Sequence, residues 1–124
     1  MKTDEWVIHT PHVKATKFWP GNLGFGTHAV IFARLKIDGN DFGVWPLMVQ
    51  VRDPATFKTM PGCEVGDCGT KMGFNIADNG WVSFNQMRIP RTNLLSRLCE
   101  VEKDGTFSIK GDQRVLYTIM LHTR

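Results

Sequence analysis

The sequence predicts an all-β domain, an antiparallel β-barrel or sandwich of about six to eight strands that ends in a short helical stub. Three observations carry this. From Thr27 to Ile37, Ala29, Ile31, Ala33, Leu35 and Ile37 fall on one face while His28, Arg34 and Lys36 fall on the other, the period-two pattern of a half-buried strand. Asp78-Asn79-Gly80 stands directly before a run in which Val82, Phe84 and Gln86 alternate with Trp81, Ser83 and Asn85. Asn-Gly readily supplies the positive φ values of a tight hairpin turn. Third, Val115 to Leu121 closes the chain as an apolar run free of breakers.

Taken in order, Trp6-Val7-Ile8-His9-Thr10 is short, aromatic and β-branched, and Pro11 ends it as a first strand. Val13 to Phe18 leads into the stretch Lys17-Phe18-Trp19-Pro20-Gly21-Asn22-Leu23-Gly24. Two large aromatics beside a proline and two glycines predict a rigid, exposed platform at a strand end, where a flat ligand can lie against backbone. Trp19 equally fits a core aromatic packed beneath the loop. The strand Thr27–Ile37 turns at Asp38-Gly39-Asn40-Asp41 and returns from Phe42 to Val51, with Pro46 demoting part of the return to an edge or a bulge.

Arg52 to Gly62 holds Pro54 and Pro61 and reads as a crossing loop. Cys63 to Gly73 is punctuated by glycine and reads as tight turns, without the order of a phosphate-binding loop. Trp81 to Ile89 reads as one strand, closed by Pro90. Thr92 to Leu95 offers a short helical turn with Asn93 as a possible cap, and Lys103-Asp104-Gly105 is a turn before the strand Thr106–Ile109.

A length of 124 residues holds one domain, and a net charge of +3 is mildly basic, ordinary for a globular chain though suited to an acidic partner. No apolar run approaches the roughly 20 residues of a membrane-spanning helix, and Met1-Lys2-Thr3-Asp4-Glu5 does not open a signal peptide. Cys63, Cys68 and Cys99 form an odd set without C-x-x-C spacing or a nearby histidine, which points to reduced thiols and no metal. His9 and His12 read as solvated, since no carboxylate is spaced to orient them. Glu64, Asp67 and Asp78 sit at glycine-rich turns with no pairing that would make an acid–base site. The aromatics are scattered and Lys and Arg form no stripe, which disfavours a nucleic-acid-binding module.

Four ordered motifs give the sequence a resemblance. Lys17-Phe18-Trp19-Pro20-Gly21-Asn22-Leu23-Gly24 resembles the K-W-W-P-G-G-L-G of peroxisomal acyl-CoA oxidases; Val65-Gly66-Asp67-Cys68-Gly69-Thr70-Lys71-Met72-Gly73 is similar to their V-G-D-I-G-x-K-x-G. Asp78-Asn79-Gly80 is similar to their D-N-G, and Arg88-Ile89-Pro90-Arg91 to their R-I-P-R before N-x-L. Near the end, Tyr117 and Met120 match a family segment K-L-T-Y-G-T-M that opens a C-terminal helical domain. Phe18 and Asn22 depart from the family's first tryptophan and second glycine; Phe keeps an aromatic face and Asn tolerates left-handed backbone.

The resemblance implies residues 1–112 as the middle β domain of such an oxidase and residues 113–124 as the start of a helical domain cut short at Arg124. A helix that short is marginal by itself. The family oxidises fatty acyl-CoA to trans-2-enoyl-CoA with FAD as cofactor and O2 reduced to H2O2, in the peroxisome, as a homodimer. By resemblance Trp19, Pro20 and Gly21 would contact the flavin, and no catalytic residue is expected in this chain, since the family's catalytic glutamate belongs to the helical domain. The isolated chain is therefore expected to fold, to hold flavin weakly and to be inactive. An FAD-dependent acyl-CoA dehydrogenase is the alternative, disfavoured because such enzymes read W-I-T-N-G where this chain has Trp19-Pro20-Gly21. A non-enzymatic β-barrel binding module is the other.

Overall fold

A computed structural model describes the backbone of residues 3–122 and the side chains of these except 113, 119, 120 and 122. The side chain of Met120 in the matched helical segment, the opening Met1-Lys2 and the end at Arg124 thus lie outside what is described. Among the described residues there are nine strands and one α-helix. The strands are β1 (Glu5–Ile8), β2 (Lys17–Gly21), β3 (His28–Ile37), β4 (Asn40–Gln50), β5 (Cys63–Asp67), β6 (Asn79–Phe84), β7 (Met87–Pro90), β8 (Cys99–Val101) and β9 (Phe107–Ile109). The helix α1 spans Gln113–His122, and two single turns of 3-10 helix lie at Val13–Ala15 and Arg91–Asn93. The all-β class with a terminal helix holds, with one strand more than expected. The strands form four sheets, β1-β7, β2-β6-β5, β3-β4 and β8-β9, and none closes into a barrel among the described residues.

The chain divides into two compact units. One comprises Met1–Glu5, Val30–Met48 and Pro90–Arg124. Its centre is the β3-β4 hairpin, whose inward residues Ile31, Leu35 and Ile37 are buried as the alternation requires. The turn is shorter than the sequence implies: Asp38 (φ 48°) and Gly39 (φ 83°) suffice, and Asn40 and Asp41 already belong to β4. Positive φ at both central residues matches the right-handed twist of the flanking strands. Pro46 interrupts nothing. Its carbonyl accepts from the Leu95 N–H at 3.1 Å beside the Leu47–Leu94 bridge, so its missing N–H lies on the edge turned away from β3. Trp45 is fully buried, donates Nε1–H to the Phe42 carbonyl at 2.8 Å, and has the Phe107 ring 5.6 Å away. Asn93 does not cap a helix; it ends the 3-10 turn and donates Nδ2–H to the Met48 carbonyl.

The other unit comprises Trp6–Ala29 and Val49–Ile89. Its antiparallel sheet has β6 in the centre, with β2 on one side and β5 on the other. Val82 and Phe84 of β6 are buried, whereas their neighbours Trp81 and Ser83 are half-exposed.

Three expectations fail here. Asn79 and Gly80 form no turn: they are the first two residues of β6, pairing with Gly21 and Asp67. Gly80 is required for close approach, since a Cβ there would lie 2.5 Å from the Gly66 carbonyl oxygen and 2.9 Å from Leu23 Cβ. Cys63–Asp67 is likewise a strand, not a set of turns, because Gly66 faces Trp81 and leaves room for its ring. The run Trp81–Ile89 breaks in two at Asn85-Gln86, where Gln86 has φ 52°. Gly66 and Gly80 serve packing between strands, a use that local turn statistics do not register.

Candidate functional site

The predicted platform lies over the end of β2, which closes at Gly21. In the β2-β6 ladder Lys17 faces Val82 and Phe18 faces Trp81, but the next pair is Gly21 with Asn79. Trp19 and Pro20 therefore share one partner position, that of Gly80, which makes a β-bulge. The bulge accommodates a proline that has no N–H to give. Trp19 takes φ 74°, a left-handed conformation that a bulky side chain adopts only under constraint, at a cost on the order of 1–3 kcal/mol.

The consequence is exposure. Phe18 is 67% and Trp19 50% accessible, so Trp19 is not a core aromatic, and the two rings lie 6.1 Å apart at 45°. Lys71 sits with Nζ 5.9 Å from the Trp19 ring centroid, within cation–π range, and donates to the Ala77 carbonyl at 3.0 Å. Pro20 is half-buried and Gly21 exposed. A Cβ built on Gly21 would meet only the Asp78 carbonyl oxygen, at 3.8 Å, an ordinary contact. Nothing in this chain demands glycine there, and the bare backbone suits the close approach of a flat ring.

Immediately after Gly21 the chain makes a turn over Asn22–Phe25, with Asn22 in the left-handed region at φ 60°. The Asn22 N–H donates to the Asp78 carbonyl at 3.1 Å and the Gly24 N–H to Asp78 Oδ2 at 2.7 Å. The Arg52 guanidinium donates to the Leu23 carbonyl and, at 3.2 Å, to that of Gly26. Sequence reasoning set Asp78 aside as a turn residue and passed over Arg52 and Lys71. Asp78 and Arg52 act on backbone 54 and 29 residues away, which no local signal reports, and the motifs that contain Lys71 and Asp78 do not say what they touch.

The other carboxylates near the glycine-rich segments are engaged as well: Asp67 Oδ2 accepts from Gly69 N–H at 2.7 Å, and Glu64 Oε2 from the Ser83 hydroxyl at 3.4 Å. Cys63 and Cys99 are buried free thiols, each pushed up to about 11 by burial. Among the described residues, no group of three His, Cys, Asp or Glu side chains is placed to hold a metal ion. No described helix is long and apolar enough to cross a membrane.

Counterparts of this segment, in sequence and in structure, are found among the acyl-CoA oxidases. Acyl-coenzyme A oxidase acox-1.1 of Caenorhabditis elegans is 48% identical over 123 residues, which is 98% of this chain and 18% of the worm protein. Human peroxisomal acyl-coenzyme A oxidase 3 is 48% identical over 107 residues, 85% of this chain and 15% of that protein. In structure, C. elegans acyl-CoA oxidase-2, crystallised with FAD, ascaroside-CoA and ATP, superposes with a TM-score of 0.92 at 44% identity, covering 95% of this chain and 18% of that one. No family model matches the sequence. The chain is a homologue of the acyl-CoA oxidases, matching one segment of them almost from end to end and spanning under a fifth of the length of these relatives.

Proposed function

We propose that this chain is the middle β domain of an FAD-dependent acyl-CoA oxidase, which desaturates fatty acyl-CoA to trans-2-enoyl-CoA and passes the electrons to O2 as H2O2 in the peroxisome. Residues 1–112 form that domain, and residues 113–124 open a helical domain in a homodimeric parent. The observation that carries the reading is the end-to-end homology with acyl-CoA oxidases, one of them crystallised with FAD and an acyl-CoA. Human peroxisomal acyl-coenzyme A oxidase 3, among the relatives, supports the compartment.

Bound flavin supplies the hydride acceptor and the centre at which oxygen is reduced. This chain supplies position. Trp19, Pro20 and Gly21 present a bulged strand edge to the ring, with aromatic surface from Trp19 and uncovered backbone at Gly21. The absent Cβ at Gly21 leaves space beside the ring that oxygen can enter. The carboxylates of Asp78, Asp67 and Glu64 each hold a structural hydrogen bond, which accords with the base for the substrate's α proton coming from elsewhere in the parent.

The test is to mix the full-length protein aerobically with a fatty acyl-CoA and follow flavin absorbance together with peroxide. Peroxide released at each turnover is expected. Flavin that stays bleached in air without peroxide would mean a dehydrogenase instead, and no bleaching at all would overturn the reading.

A further inference from the structure

We propose that Arg52 and Asp78 are positioning residues for the cofactor: together they bracket the turn after Gly21 and fix the backbone face presented to the flavin. This rests on the function proposed above and adds two residues to it.

The turn is held by polarity. Its N–H groups, from Asn22 and Gly24, point to Asp78; its carbonyls, from Leu23 and Gly26, point to Arg52. The Leu23–Gly24 peptide thus lies between cation and anion, its carbonyl accepting from Arg52 and its N–H donating to the Asp78 carboxylate, so its dipole is oriented favourably toward both. The carboxylate lies so close that a Cβ on Gly24 would fall 2.8 Å from Asp78 Oδ2.

Both arms are themselves anchored. Arg52 is half-buried, its N–H donates to the Thr27 carbonyl at 3.1 Å, and its own carbonyl accepts from Gln50 Nε2 at 3.1 Å. Asp78 directly precedes Asn79, the residue of β6 that pairs with Gly21.

Gly21 stands between two left-handed residues, Trp19 and Asn22. Such backbone persists only where its surroundings over-determine it. Release of the turn lets the Gly21-Asn22 peptide relax, and small displacements of a positioned group are costly to reactivity. The same residues would thereby tune both flavin affinity and the space beside the ring.

The experiment uses full-length holoenzyme and the variants Asp78→Ala, Asp78→Asn and Arg52→Gln. Losing a charge-assisted bond to the turn is expected to raise the FAD dissociation constant about tenfold for Asp78→Ala and for Arg52→Gln. Flavin reoxidation should change relative to flavin reduction in the same variants. Asp78→Asn keeps an acceptor for Gly24, so it should recover much of the loss, and Arg52→Gln carries the test should the alanine variant not fold. As a stability control, Ile31→Val thins the core of the other compact unit and should lower Tm without altering FAD affinity. Unchanged FAD affinity and an unchanged reoxidation-to-reduction ratio in Arg52→Gln and in Asp78→Ala would overturn the bracket while leaving the oxidase reading intact. A wild-type protein that binds no FAD would overturn the reading beneath it.

Discussion

Gly66 and Trp81 form a cross-strand pair whose energetics should reverse sign with a single change. Gly66 lies opposite Trp81 in the β5-β6 ladder, and a Cβ on it would come 2.4 Å from Cε2 and Nε1 of the indole and 2.5 Å from Cζ2. Comfortable carbon contacts begin near 3.5 Å, so Gly66→Ala must move the ring by about 1 Å. Overpacking of this kind costs about 1–3 kcal/mol, against which alanine in a strand returns roughly 0.5–1 kcal/mol through the unfolded state. The net expectation is a loss of about 1–2 kcal/mol in the wild-type background. In a Trp81→Ala background the obstruction is gone, and Gly66→Ala should stabilise by about 0.5–1 kcal/mol. Urea denaturation of the four proteins in this cycle, followed by circular dichroism, reads the coupling directly. Equal costs of Gly66→Ala in the two backgrounds, within about 0.5 kcal/mol, would refute the claim that the glycine exists to seat the indole.

The buried thiols predict a particular alkaline instability. Cys63 and Cys99 keep their protons in the fold up to about 11, whereas unfolded thiols lose them near 9.0, so their contribution is complete below pH 9 and declines between pH 9 and 11. The slope is about 1.4 kcal/mol per pH unit for each thiol, and a Cys63→Ala/Cys99→Ala variant should flatten it in denaturation at pH 8 and pH 10; an unchanged slope would discount burial as the cause. Gly39→Ala should cost about 1 kcal/mol although nothing lies within 4 Å of the new methyl group, because the φ of 83° itself is strained for alanine; a Tm equal to wild type would contradict this. In the segment between β5 and β6, Met72, Phe74 and Ile76 are 109%, 83% and 103% accessible. Replacing them with Gln, Asn and Thr should change stability by no more than about 0.5 kcal/mol each while reducing self-association in sedimentation, and a large fall in Tm would mean they pack.

What the sequence made legible was whatever depends on a single segment. The alternation through β3, the turn at Asp38-Gly39, the platform of Lys17–Gly24 and the terminal helix all follow from residues within a few positions of one another. The errors fall where a residue's partner is remote. Asn79-Gly80 has the composition of a hairpin turn, yet Gly80 faces the Gly66 backbone and Leu23, and no reading of its immediate neighbours reveals that contact. Arg52 and Asp78 were invisible as a pair for the same reason, since they meet only through the turn between them.

The glycines themselves then divide by what they answer to. Gly66 and Gly80 are explained within this chain, because a methyl group at either would strike an indole ring or a neighbouring strand. Gly21 has no such explanation: its φ lies outside the left-handed range, its nearest obstacle is 3.8 Å away, and the strand would accept alanine. A strand position that could carry a side chain at no steric cost, placed beside a strained tryptophan and ahead of a turn gripped from both sides, points outward for its reason. Gly21→Ala should therefore leave the stability of this chain unchanged or slightly raised, while in the full-length protein it should slow flavin reoxidation more than flavin reduction. Loss of stability in the chain would return Gly21 to the fold, and equal slowing of both half-reactions would remove the argument that its missing side chain makes room for oxygen.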